Sequence, residues 1–148
     1  FPRSAHLIFL KGAMLAPDSD AILTIECTIQ APRSQIFSGQ GNVIFGPGSV
    51  LEVDPEWWGA NPDGITDCSD GLQKAFKTGM PVRLASGTYR ITSSIIVPKG
   101  LRIAIRGTGQ QHKSYKRVGG TVLLLDSTEA STLIDMSGGD HAFTNCLG

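Results

Sequence analysis

"PEWWGANPDGITDCSDGLQKAF", residues 55 to 76, decides how this chain of 148 residues is read. Pro55, Gly59, Pro62 and Gly64 interrupt regular structure, so the texture changes here and a joint between modules is expected at residue 54. Beyond the interruption the residues read as a short helix. Asp67 is the expected N-cap, Asp70 adds negative charge to the first turn, and Leu72, Ala75 and Phe76 make one apolar face. Lys77 and then Gly79 supply the stop. A one-sided helix of about three turns needs an apolar surface to cover, and the strand-rich segment that follows is the nearest one. The helix is therefore expected to lie as a lid over the end of a β structure.

Within the same stretch, Asp63 and Gly64 are expected to make a turn, and Trp57 and Trp58 to pack at the joint. The competing reading of the tryptophans is stacking against a sugar, because an aromatic face suits the apolar side of a pyranose. Likewise Asp63, Asp67 and Asp70 spell a carboxylate cluster for acid/base work or calcium, but turn and cap duties explain them better. No metal site and no cofactor are expected.

Upstream, residues 1–54 offer "LIFL", "ILTIECTI", "QIF", "NVIF" and "VLEV", separated by turn-rich "APDSD", "APRSQ", "SGQG" and "GPGS". In "ILTIECTI" the apolar residues fall largely on alternate positions, the period of a strand buried on one face. This half reads as a small β leader. Downstream, strand-like starts recur at Pro81, Leu101, Thr121 and His141, each 20 residues after the last, with "SIIV" and "TLIDM" roughly midway. A fixed period with several short strands is what stacked β coils produce, since one coil cannot bury its own apolar face. Such a stack exposes strand edges at its end, and a helix there covers them.

Composition narrows the function classes. Thirteen basic and thirteen acidic residues cancel, so no global field draws the chain to nucleic acid or an anionic membrane. Apolar runs such as "VLLL" fall far short of the roughly 20 residues of a membrane helix. Cys27, Cys68 and Cys146 have no paired spacing and read as small buried hydrophobes. The first residues, "FPRSAHLIFLKG", have neither an initiating Met nor the build of a signal peptide, so the chain reads as cut from something longer. "GTGQQH" lacks the ending of a phosphate loop.

"WWGANPDGITDCSDGLQKAF" followed by "VRLASGTYRITSSIIVPKGLRIAIRGTG" resembles the start of the pectate-lyase-like right-handed parallel β-helix of phage tailspikes and secreted polysaccharide-degrading enzymes. The resemblance is carried by Gly59, Ala60, Asp63, Gly64, Thr66 and Asp67, then by Gly87, Thr88 and Tyr89, and finally by Gly107 and Gly109. It departs at Ala85 and Ser86, where a proline would stand before the glycine. It implies an all-β fold: a β-rich leader over 1–54, then over 55–148 the capping helix and first coils of a β-helix solenoid. It also implies a homotrimer in the tail of a virion or an extracellular protein, contacts with other tail proteins, and a bacterial surface polysaccharide as partner. Two other readings stay open: a virion-attachment module without catalysis, and a secreted bacterial lyase or hydrolase.

Hydrolysis of a glycan needs two carboxylates flanking the bond, whereas a lyase needs a base and a cation beside a uronate. Asp126, Asp135 and Asp140 are carboxylates near expected strand ends, and His141 is suited to moving protons near neutral pH. Glu129 joins them as a carboxylate, but all read more naturally as turn or solvated residues, and the resemblance implies cleavage on later coils. For substrate contact the loop "GQQHKSYKRVGG" gathers His112, Lys113, Lys116 and Arg117 around Tyr115, which suits acidic sugars. A solvated loop is the plainer reading.

Overall fold

Every strand pairing among the described residues is parallel. The computed structural model describes residues 1–101, 104–109, 120–129 and 132–136. In chain order the elements are β1 (His6–Ile8), β2 (Ile22–Ile25), β3 (Thr28–Gln30), β4 (Asn42–Phe45), a 3₁₀ turn (Pro55–Trp58), β5 (Asp63–Asp67) and α1 (Ser69–Lys77). They continue with β6 (Val82–Arg83), β7 (Gly87–Ile91), β8 (Ile95–Ile96), β9 (Ile105–Arg106), β10 (Thr121–Leu125) and β11 (Ile134–Asp135). The chain is thus mostly strand with one α-helix, its strands joined in short parallel sheets.

Stacking proceeds corner by corner. Consecutive strands β6, β7 and β8 pair in the same order with β9, β10 and β11, Val82 lying beside Ile105, Gly87 beside Thr121 and Ile95 beside Ile134. On the other side of this layer, Val53 bridges to Val82 and β5 lies along β7. Beside β8 the corresponding place is taken by α1. Gln73 of the helix donates from Nε2 to the Ile96 carbonyl (2.7 Å) and accepts the Ile96 N–H on Oε1 (2.7 Å). One side-chain amide therefore satisfies the edge that a further strand would have paired, which is how a helix closes an open sheet. The expected helix is present, and its apolar face is the expected one: Leu72, Ala75 and Phe76 are buried.

Three sequence expectations change in the structure. The even spacing of strand starts is not the stacking register, because Thr121 lies on Gly87 and not on Leu101. After β9, the N–H of Thr121 at the start of β10 donates to the Thr108 carbonyl (2.7 Å). "ILTIECTI" is not one strand but two, β2 and β3, which pair with β4 and β1 across a corner at Glu26 and Cys27. Its alternation holds inward nonetheless, with Ile25 and Cys27 fully buried. Finally, "DGITD" is strand and not only turn, held along β7 with a register shift between Asp63 and Asp67.

The core runs through both halves of the chain: Phe9, Phe37 and Phe45 from the leader share one cluster with Trp57, Trp58, Leu72, Phe76 and Ile91. Backbone bonds cross the same seam, since Ile36 and Phe37 both donate to the Trp57 carbonyl and Val53 donates to that of Pro81. Cys27 and Cys68 are buried free thiols, as expected; Cys146 lies outside the described residues. No helix among the described residues is long and apolar enough to cross a membrane.

Candidate functional site

The β5–β7–β10 sheet carries Asp63 and Asp67 and brings Arg90 to Asp126, three of the carboxylates that the sequence singled out. Tyr89 and Ile91 of β7 point inward and are buried, so the alternating Thr88 and Arg90 face out, beside Val122 and Leu124 of β10. Arg90 donates from Nε to Asp126 Oδ2 (2.7 Å) and from Nη1 to the Ile65 carbonyl (3.3 Å). Hydrogen bonding to Asp126 holds this guanidinium more firmly protonated than usual. Asp126, a candidate catalytic carboxylate, is therefore the partner of a cation. Asp135 lies apart from it in β11, beside Ile96. The remaining candidates Asp140 and His141, and the loop residues His112, Lys113, Tyr115, Lys116 and Arg117, lie outside the described residues.

Next to Arg90 stand two carboxylates whose oxygens are used locally. Asp63 Oδ1 accepts the N–H groups of Ile65 and Thr66 (both 2.7 Å), and its Oδ2 accepts the Thr66 hydroxyl (2.7 Å). Those bonds, the Thr66 N–H first, lower its pKa below the usual 3.8. Gly64 follows with φ +77°, a left-handed turn open to glycine without strain. Asp67 is not itself the N-cap: Cys68 holds that position, without a side-chain cap bond. Because Cys68 N–H is tied to the Arg90 carbonyl, the strand persists through Asp67 and the helix begins one residue later. Asp67 still serves the helix start, its Oδ1 accepting the Ser69 N–H (3.0 Å) and hydroxyl (2.6 Å) while Oδ2 accepts the Thr92 hydroxyl (2.7 Å).

Burial raises the pKa of Asp67, but the Ser69 and Thr92 bonds outweigh it and the net direction is down from 3.8. A folded-state value below the unfolded one contributes stability that is complete above the unfolded pKa and is lost as pH falls through the folded one. Asp67→Ala is accordingly expected to cost about 1 kcal/mol at neutral pH, as losing a helix-start carboxylate does. In urea titrations repeated at falling pH, the gap between wild type and variant should close below about pH 4. A gap that persists unchanged in acid contradicts the assignment. Neither Asp63 nor Asp67 is placed to be a protonated acid at neutral pH, so hydrolytic chemistry finds no donor in this pair.

The structure also holds a polar seam that the sequence reading missed. Asp54, with its side chain only 4% exposed, accepts Arg33 Nη2 and Arg83 Nε on Oδ1 and Arg83 Nη2 on Oδ2, each at 2.9 Å. Glu52 accepts Arg106 Nη1 at 2.9 Å. Glu56 is buried and accepts the Tyr89 hydroxyl at 2.7 Å, while that oxygen accepts the Ala85 N–H at 2.7 Å. Burial, and then the Glu56 carboxylate, push the Tyr89 phenol well above its usual range, so it is a fixed donor and not a proton carrier. The signal was present as acids at every second position, Glu52, Asp54 and Glu56, although the 3₁₀ turn at Pro55–Trp58 takes Glu56 out of the extended run.

Trp57 and Trp58 are buried in the aromatic cluster, only 6% and 7% exposed, and Trp57 Nε1 donates to the Pro32 carbonyl (3.1 Å). Neither offers a free face for a pyranose. Among the described residues no group of three or more His, Cys, Asp or Glu side chains is arranged to hold a metal.

The chain is similar to a phage depolymerase. That relative, the capsule K30/K69-specific depolymerase of Klebsiella phage K64-1, is 30% identical over 118 residues, which cover 68% of this chain. The chain spans about 15% of the length of this curated relative. No protein-family model and no solved structure matches the chain. The similarity relates these residues to a phage protein named for acting on a bacterial capsule, whereas the geometry of their described carboxylates is that of turns, caps and ion pairs.

Proposed function

We infer that this chain is the N-terminal part of a phage tailspike-like protein that binds and degrades a bacterial capsular polysaccharide, and that its own share is to cap and position a right-handed parallel β-helix. The similarity to the capsule depolymerase carries the biological half of this reading. For the structural half, the support is α1 standing beside β8 where a strand would otherwise stack, with β9, β10 and β11 laid in order on β6, β7 and β8. In this reading residues 1–54 are a β leader, residues 55–148 are the cap and first coils, and cleavage takes place on coils beyond them. The protein works in the virion tail as a homotrimer, where exposed Leu51, Ile65 and Ile96 suit lateral contact between copies.

A longer protein that begins with these residues should shorten purified capsular polysaccharide, seen as a shift to later elution in size-exclusion chromatography. Polymer of unchanged length with every capsule tested would favour the attachment module without catalysis.

A further inference from the structure

A groove lined largely by residues of β2, β4 and α1 has not yet been used. It is a cavity of about 180 Å³ between the outward face of β2 and β4 and the second half of α1. Ile22 and Ile44 form its apolar wall, the largely buried Trp58 adds to the lining, and Asn42, Lys74 and Lys77 supply the polar groups. Ile22 and Ile44 are 63% and 46% exposed and stand on neighbouring strands, Ile22 beside Asn42 and Ile44 beside Thr24.

The two lysines differ in availability. Lys74 Nζ is held by Asp70 (2.9 Å) and by the Gly39 carbonyl (3.3 Å), which fixes its ammonium at the edge of the groove. Lys77 is exposed and makes no ion pair among the described residues, and the Asn42 side chain there makes no hydrogen bond. An unpaired cation and a free carboxamide facing an aliphatic wall match a small ligand with one carboxylate, several hydroxyls and one apolar face. The volume is below that of ordinary drug-sized pockets, so it suits a single ring and not an oligomer.

We propose that this groove is a subsite for one uronic acid residue of an anionic polysaccharide, with Lys77 taking the carboxylate, Asn42 a hydroxyl, and Ile22 and Ile44 the apolar face of the ring. The assignment rests on the glycan reading above for the class of ligand and on the groove for its position. It would hold the polymer on the capped end of the stack, away from the chemistry.

The test is a titration of the 148-residue chain with glucuronate, and separately with glucose, followed by amide and indole chemical shifts. Saturable shifts at Asn42, Lys77 and the Trp58 indole with glucuronate alone are expected. Lys77→Ala should weaken that binding about ten-fold, the effect of one charge-assisted hydrogen bond, while Lys77→Arg and Lys99→Ala retain it. Absence of shifts, equal shifts with glucose, or an unchanged Lys77→Ala variant overturns the subsite. Shifts that follow protein concentration and not sugar also overturn it, since a second copy then covers the groove. Retention of capsular polymer by the longer protein, measured alongside, separates the two levels: retained polymer with a silent groove removes the subsite and leaves the glycan reading standing, whereas loss of both removes both.

Discussion

Trp58→Ala is expected to lower the unfolding free energy by about 3–5 kcal/mol, enough to unfold a marginal domain. The ring lies 5.1 Å from that of Phe37, 6.3 Å from Trp57 and 6.5 Å from Phe45, centroid to centroid. Its removal opens a cavity where leader and cap meet, and neighbours anchored in three different segments cannot all collapse into it. Urea denaturation followed by far-ultraviolet circular dichroism measures the loss. Had the residue been placed for stacking against a sugar, the same substitution would leave the denaturation midpoint nearly unchanged and reduce only glycan binding. An effect below about 1 kcal/mol contradicts the packing role assigned here.

Gly87→Ala is the second large effect. Gly87 opens β7 at φ +129°, a conformation L side chains rarely adopt, and an added Cβ would collide with the Pro62 carbonyl oxygen and come within 2.9 Å of Pro62 Cβ. The close approach is structural, because Thr88 N–H donates to that same carbonyl (3.0 Å) and so draws β7 against the turn before β5. Backbone strain and collision together should cost about 3 kcal/mol. The same urea titration gives the comparison, with Gly100→Ala as control: its φ is also positive at +80°, but no atom lies within 4 Å of an added Cβ. Equal losses at the two positions would mean that the contact with Pro62 contributes nothing.

These two residues also show what the sequence makes legible. The tryptophans and the apolar face of α1 were readable because burial writes itself locally, as large side chains at a joint and as Leu72, Ala75 and Phe76 on one helical stripe. Short apolar runs marked β4, β8 and β11 for the same reason. By contrast β5 (DGITD) and β7 (GTYRI) mix glycine and charged residues with only one isoleucine each, so no apolar run marks them and their pairing with neighbours completes the strand signal. The register of stacking was hidden too, since equal intervals in the sequence do not reveal that Thr121 falls on Gly87. The N-cap slipped by one residue because the Cys68 N–H is drawn to Arg90, a contact 22 positions along the chain in the strand beside it.

The candidate site was less legible than the fold. Asp126 was named as a carboxylate for chemistry, but its partner Arg90 lies 36 residues away and was not anticipated. The Asp54 and Glu56 contacts join residues 21, 29 and 33 apart, beyond any local pattern. Charge type and spacing can nominate such residues, but only the parallel stacking brings Arg33, Arg83 and Tyr89 to them. Asp54, Asp63, Asp67 and Asp126 are each engaged by hydrogen-bond or ion-pair partners, which is the arrangement of a scaffold.

The measurement that reaches the central claim most directly is a cleavage assay on the 148-residue chain alone, run beside the longer protein on the same capsular polysaccharide. New reducing ends report hydrolysis, and the ultraviolet absorbance of unsaturated uronates reports elimination. New ends or new absorbance are expected from the longer protein and neither from the chain, however well the chain is folded. Cleavage by the chain itself would contradict the central claim and return Asp126 and Asp135 to the centre of the chemistry.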